Sequence, residues 1–210
     1  SSHWRAWPVA LRSPHSEQIE HFARDNAKEV QFHCFLQWIA DRSLAAAQQA
    51  TKNAGMRIGL ISDLAVGMSN DGSHAWSNQH DVLGGLQIGA PPDLYNPNGQ
   101  NWGLTTFSPW ALRTVGFAPY IDTLRAALRH AGGVRIDHVM GLLRLWVIPN
   151  GAGPQEGAYL AYPIDDLLRL TALESLRHRA IVIGEDLGTV PAGFREMLSQ
   201  IGICCMQVLW

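Results

Sequence analysis

Gly133-Val-Arg135-Ile-Asp137-His138-Val-Met-Gly141-Leu-Leu-Arg144-Leu-Trp-Val-Ile-Pro149 is the stretch that decides how this chain is read. Val134 and Ile136 are β-branched and alternate with polar partners, and Gly132-Gly133 punctuates the run in front, so a short strand emerges from a turn. An acid and an imidazole, Asp137-His138, follow at once. A second stretch has the same grammar: Ala180-Ile-Val-Ile-Gly184-Glu185-Asp186-Leu-Gly188 is an apolar strand that stops at a glycine and delivers two carboxylates into a loop. Acids where buried parallel strands end point to a site at the C-terminal rim of a β/α barrel.

Working outward, the order of elements supports a parallel α/β sheet. Trp4 to Pro14 is too proline-rich for regular structure and reads as a surface connection. Ser16 is placed to cap a helix with Glu17 and Glu20 in its first turn. Apolar residues from Val30 to Leu44 recur at helical spacing and predict one long helix over Glu29 to Asn53, with Gly55 as its C-terminal stop. On it, His33 and Gln37 are expected to pack or hydrogen-bond. Met56 to Ile61 predicts a strand, ending in Ser62-Asp63-Leu-Ala-Val-Gly67. A long polar, glycine-rich segment then runs from about 68 to 108, the length and composition of a functional loop rather than a plain connection. Its amides, carboxylates and tryptophans suit sugar hydroxyls and pyranose faces; an ordinary surface excursion has the same composition. Helical periodicity returns from Pro109 to His130. The strand ending at Asp137 follows, then an extended run Trp146–Pro149, a glycine-rich loop, Tyr159 to Pro163, and a helix over Asp165 to His178 with acids in front and bases behind. The strand Ala180–Gly184, a short helix from Pro191 to Gln200, and a last buried strand from Ile203 to Trp210 complete the order. Asp137 and Glu185 lie about one βα unit apart, which places them on neighbouring strands.

The chain has 210 residues, 47% of them hydrophobic, enough for a substantial core. Its net charge is −2 and its basic residues are scattered, which gives no footprint for nucleic acid. No apolar run approaches the roughly 18 residues of a membrane span, and the first residues given do not show the basic, then apolar, then small-residue pattern of a secretory signal. Cys34, Cys204 and Cys205 are an odd set without Cys-x-x-Cys spacing; they are expected to be reduced core thiols of a cytoplasmic protein. His3, His33, His74, His80 and His138 show neither His-x-His nor helical metal spacing, so neither a metal nor a cofactor is expected. The chain opens without Met and ends inside an apparent strand, and a complete barrel needs about 250 residues. The expected fold is therefore a partial (β/α)8 barrel without its first and last strands. Residues 1–210 would form the central portion of a larger enzyme's catalytic domain.

Two acids at adjacent strand ends, beside a groove carrying Trp, Asn and Gln, fit glycosidic-bond chemistry: one carboxylate attacks the anomeric carbon and the other, protonated, donates to the leaving oxygen. A separation of about 5–5.5 Å would give the retaining outcome. Arg135, on the same strand face as Asp137, would set a positive charge beside it. A structural Arg–Asp pair, or paired acids serving Mg²⁺, would show the same spacing.

Arg135-Ile-Asp137-His138, Gly184-Glu185-Asp186-Leu-Gly188-Thr-Val-Pro191 and Gly89-Ala-Pro-Pro-Asp93…Gly99-Gln100-Asn101-Trp102-Gly103 resemble the bacterial 4-α-glucanotransferases, the amylomaltases of the α-amylase clan. The likeness runs over essentially the whole chain and includes Phe35-Leu-Gln-Trp38 and Asp63-Leu-Ala-Val-Gly67. It implies that Asp137 is the nucleophile and Glu185 the general acid/base. By the same resemblance Arg135 orients Asp137, His138 contacts acceptor-side hydroxyls, and Asp71 binds sugar. Gln100 and Trp102 lie in a loop that grips the glucan and excludes water, and Asp93 belongs to that substrate-binding loop. Asp186 is expected to support the loop beside the acid/base. The substrates implied are maltooligosaccharides and other α-1,4-glucans, in starch, glycogen and maltose metabolism. Departures exist: Val139-Met140 stands where many members have Phe-Arg, and the family's third carboxylate, in a later His-Asp pair, lies beyond Trp210. The isolated chain is therefore expected to be inactive. A glucan hydrolase using the same residues, or a carbohydrate-binding piece without turnover, are the alternative readings.

Overall fold

The structure, a computed structural model, describes residues 3–208; the last two positions of the expected terminal strand, Leu209 and Trp210, lie outside them. In chain order the elements are α1 (Val9–Arg12), α2 (Glu17–Asp25), α3 (Ala27–Asn53), β1 (Ile61–Leu64), β2 (Met68–Ser69), α4 (Ser73–Ser77), β3 (Leu86–Ala90), β4 (Gln100–Thr105), α5 (Pro109–Thr114), α6 (Ala118–Leu128), β5 (Gly133–Ile136), β6 (Arg144–Pro149), β7 (Ala158–Ala161), α7 (Ile164–His178), β8 (Ile181–Gly184), α8 (Phe194–Gln200) and β9 (Cys204–Cys205).

These form two sheets rather than the single parallel sheet expected. Strands β1-β5-β8-β9 make a four-stranded sheet, and each of its pairs is parallel. Strands β2-β4-β3-β6-β7 make a five-stranded sheet, antiparallel throughout. Segments 144–149 and 158–161 thus belong to the second sheet: β6 and β7 follow each other too closely for a crossover helix, so they pair as a hairpin. The stretch 68–108 is correspondingly not a loop. It holds β2, α4, β3 and β4, and its glycines are a condition of the pairing: a Cβ at Gly89 would lie 1.9 Å from the Gln100 carbonyl oxygen, where β3 and β4 slip register.

The parallel sheet positions the site. On one of its faces Val134, Ile136 and Val182 are buried in the main hydrophobic core, which also takes in Leu124 and Leu128 of α6 and Leu167 and Leu168 of α7. The opposite face carries Asp63, Arg135 and Ile183, which lie in register across β1, β5 and β8. The covering helices are tied to each other by Glu174 of α7, which is 1% exposed. Its oxygens accept from Arg125 Nε and Nη2 at 3.0 and 3.1 Å and from Arg177 Nη1 at 2.7 Å. Hydrogen bonding to Arg125 outweighs the cost of burial and holds this carboxyl below its ordinary range.

Several boundaries differ from expectation for local reasons. The first parallel strand begins at Ile61, where the sequence suggested an ending. Gly59 takes a left-handed φ of +81°, and Gln48 of α3 captures the Ile58 carbonyl at 3.2 Å and the Leu60 N–H at 2.7 Å, so this run is tied to a helix until the Leu60 carbonyl accepts the Gly132 N–H at 2.8 Å. The helical run 109–130 breaks into α5 and α6 at Phe117, which is left-handed (φ 61°) and returns its N–H to the Leu112 carbonyl at 2.7 Å. Trp4–Pro14 holds a 3-10 turn and α1, and buried Trp4 donates from Nε1 to the Asn70 carbonyl at 2.9 Å. Helix α2 starts as read, with Ser16 Oγ accepting from the Ile19 N–H. Helix α3 runs two residues further forward than read. Its Phe35, Trp38 and Leu44 are exposed, as are His33 and Gln37; the His33 ring meets that of Phe32 edge-on. The three cysteines are free and exposed, not core thiols: Cys34 lies on α3, and among the described residues the two-residue strand β9 pairs with β8 alone. No helix among the described residues is long and apolar enough to cross a membrane.

Candidate active site

Both acids stand one residue beyond the end of a parallel strand, as the sequence suggested. Ile136 of β5 is in register with Gly184 of β8, and the ladder continues past both ends. Asp137 donates its N–H to the Leu64 carbonyl at 2.9 Å, Glu185 to the Ile136 carbonyl at 2.9 Å, and Val139 to the Glu185 carbonyl at 3.0 Å. Three neighbouring backbones therefore fix the origins of the two carboxylate side chains. Rigid strand ends hold reacting groups more closely than a free loop could.

His138 completes the arrangement through its backbone. It takes the left-handed conformation (φ 48°, ψ 59°), uncommon for a residue with a side chain. Its N–H thereby donates to Oε2 of Glu185 at 2.7 Å, and the chain is turned into the buried 3-10 turn Val139–Leu142. The imidazole packs edge-on against the Trp102 indole, with ring centroids 5.3 Å apart. Burial lowers the His138 pKa, a shift only partly offset by the charges of Glu185 and Asp137, so the ring is neutral at pH 7.

Arg135 lies between two acids. Its Nη2 donates to Oδ1 of Asp137 at 3.0 Å and its Nη1 to Oδ1 of Asp63 at 2.5 Å. The hydrogen bond to Asp63, ahead of the charge of either acid, raises the pKa of this guanidinium. Asp63 stands in a quoted motif, yet nothing in its local pattern singles it out, because its contact depends on the cross-strand pairing of Asp63 with Arg135.

The remaining expected residues lie on the antiparallel sheet and its loops. Trp102 donates from Nε1 to Oε1 of Gln100 at 2.9 Å, so two residues of β4 act as one unit beside His138. Asp71, in the turn between β2 and α4, pairs with His3 at 3.1 Å. The adjacent Asn70 reaches the Gly103 carbonyl of β4 at 3.5 Å. Asp93 sits at the tip of the β3–β4 connection, where Oδ1 accepts the N–H groups of Tyr95 and Asn96 at 2.8 and 2.6 Å; it shapes this tip as an Asx turn. Asp186 is fully buried and accepts from Arg195 Nε at 2.5 Å and from the Met206 N–H at 2.9 Å. It supports the loop, as expected of it. Beside Asp137 and His138 opens a cavity of about 230 Å³, walled largely by apolar side chains such as Leu64, Met68, Phe107 and Leu142.

Chemically the arrangement offers one carboxylate held by a guanidinium and another held by a main-chain N–H, on adjacent strand ends under an aromatic side chain. Comparison with known proteins agrees with this geometry. A family model described as 4-alpha-glucanotransferase, glycoside hydrolase family 77, matches residues 1–210. The 4-alpha-glucanotransferase of Mycobacterium tuberculosis is 43% identical over 207 residues, 99% of this chain and 29% of that protein; the one from Haemophilus influenzae is 40% identical over 99% of this chain and 30% of its own length. The chain thus spans under a third of these curated relatives. Among solved structures, amylomaltase from Corynebacterium glutamicum superposes with a TM-score of 0.80 at 42% identity, over 83% of this chain and 25% of that one. The amylomaltase from Streptococcus agalactiae in complex with acarbose gives a TM-score of 0.87 at 18% identity, over 98% of this chain and 42% of its own, a likeness of fold.

Proposed function

The chain belongs to the 4-alpha-glucanotransferase family, and from that premise we propose that it is the central part of a (β/α)8 catalytic barrel whose whole protein moves α-1,4-glucan segments between maltooligosaccharides. The reading is supported by the four-stranded parallel sheet with helices over one face; in it the open face bearing Asp63 and Arg135 would line the barrel's interior. We assign the activity to the whole protein, because these residues cover only about 29% of the relatives' length. Its substrates are maltooligosaccharides and longer α-1,4-glucans, a class in keeping with the acarbose bound to the streptococcal fold neighbour. The free cysteines suit a reducing compartment, the cytoplasm.

The reaction is a retaining double displacement. A carboxylate oxygen of Asp137 attacks the anomeric carbon of the donor, the glycosidic C–O bond breaks, and the departing 4-oxygen takes the proton of Glu185. In the second half Glu185, now ionised, removes the proton of an acceptor 4-hydroxyl, whose oxygen attacks the same carbon and releases Asp137. Glu185 must present its carboxyl to both leaving group and acceptor. The bond from His138 N–H to its Oε2 orients one oxygen and leaves the other for that exchange; this is the observation that carries the assignment. Arg135 places a fixed positive charge beside the nucleophile. The neutral imidazole of His138, with Asp71 and Asp93, contributes to sugar binding. Gln100 and Trp102 close over the glucan and exclude water, so the glucosyl-enzyme awaits a sugar hydroxyl.

Incubation of the whole protein with maltotriose tests the reading. A ladder of longer maltooligosaccharides together with glucose is expected. Glucose and maltose without a ladder would make the protein a hydrolase.

A further inference from the structure

Asp63 is the residue whose contacts exceed any part assigned to it. It lies directly opposite Arg135 in the β1–β5 register, so both side chains leave the same face of the sheet. The guanidinium is a planar fork, and its two ends are committed to different acids: Nη1 to Asp63 at 2.5 Å and Nη2 to Asp137 at 3.0 Å. On the other side Arg135 is in register with Ile183, which offers no polar group. The titratable groups around the fork are thus Asp63 and Asp137, with Glu185 and His138 at the neighbouring strand ends.

A guanidinium facing one carboxylate favours a bidentate pair that takes both oxygens. At Asp137 that pairing would occupy the oxygen that has to form the bond to the anomeric carbon. Asp63 prevents it by holding Nη1, so that Arg135 grips Asp137 through Oδ1 alone. We propose that Asp63 is a positioning residue for the nucleophile: by holding one arm of Arg135 it keeps that arginine monodentate on Asp137 and leaves the second carboxylate oxygen free to attack. This deepens the transferase reading and rests on it.

The test is Asp63→Ala in the whole protein, alone and combined with Arg135→Ala, read as the rate of leaving-group release from an activated α-glucosyl donor and as the affinity for maltotriose. The Asp63 side chain is 65% exposed, so its truncation opens no buried cavity and the fold tolerates it, and alanine leaves no oxygen to accept from Nη1. Asp63→Ala is expected to slow release by roughly 10- to 100-fold with affinity changed less than about twofold, the range of effects seen when a group supporting a first contact is lost. In the Arg135→Ala background the same change adds less than about twofold, because Asp63 acts only through the arginine. An unchanged rate for the single variant, or an equal loss in both backgrounds as general loosening of β1 would give, overturns the proposal. The unsubstituted protein keeps the two claims apart. If it releases no leaving group, the transferase reading fails; if it is active and Asp63→Ala matches it, only the role of Asp63 fails.

Discussion

His138 and Glu185 are joined by a 2.7 Å hydrogen bond from the main-chain N–H of one to Oε2 of the other. The residue that follows Asp137 at one strand end thus holds the carboxylate delivered by the next. The bond depends on the left-handed backbone at His138 (φ 48°). Its donor is main chain, so exchanging the His138 imidazole leaves the donor in place, whereas truncating Glu185 removes the acceptor.

The first prediction separates the two carboxylates. Asp137→Asn is expected to lower transfer by several powers of ten while glucan binding is nearly kept, since it removes the attacking group and little else. Glu185→Gln should block transfer from maltotriose yet spare donors with good leaving groups, which need no proton. Initial rates on both donor types check this; equal losses for Glu185→Gln would refute its acid role.

The second concerns pH and His138. Burial lowers its pKa in the folded protein from the ordinary 6.5, so just below that value the unfolded chain binds more protons than the folded one. Stability then rises with pH in this window, and the contribution is lost as pH falls below about 6.5. His138→Asn, which tolerates the left-handed backbone and does not titrate, should flatten this part of the curve. Urea unfolding between pH 5 and 8 checks it; an unchanged slope would contradict it.

A third prediction addresses the loop after the acid. Asp186→Ala strips the buried acceptor from the Met206 N–H and from Arg195 and should cost about 2 kcal/mol; Asp186→Asn keeps an acceptor and should cost less. Burial pushes the Asp186 pKa up, but Arg195 and the Met206 N–H outweigh it, and the net direction is below the ordinary 3.8. Its contribution is therefore present at neutral pH and is lost only as pH falls through that lowered value. Denaturant midpoints of the two variants at pH 7 and pH 3 test both statements.

A fourth concerns Trp102, which packs on His138 and bonds Gln100. Trp102→Ala should slow transfer by roughly tenfold and raise the share of glucosyl-enzyme lost to water. The ratio of released glucose to ladder products measures this; a lower rate with an unchanged ratio would remove water exclusion from its role.

The strands that carry Asp137 and Glu185 were legible because burial writes itself plainly: β5 and β8 are short β-branched runs closed by acids, and each acid falls where the ladder ends. The antiparallel sheet was harder to see, since Gly89, Gln100 and Asn101 meet the demands of close pairing and polar contact and leave little alternation to read. Asp63 was hidden for a different reason. Met56–Ile61 has the apolar pattern of a strand, but Gln48 binds its backbone and the pairing begins at Ile61; only that register reveals the arginine opposite. Residues such as Phe35 and Trp38 predict the helix correctly and say nothing about what covers it.

The most direct measurement is mass analysis of the whole protein after reaction with a fluorinated α-glucosyl fluoride that forms the glucosyl-enzyme quickly and releases it slowly. The account predicts one added sugar on the peptide containing Arg135-Ile-Asp137-His138, attached to Asp137, and none in Asp137→Asn. A stable label on Glu185 or another residue, or full turnover without any covalent adduct, would contradict it.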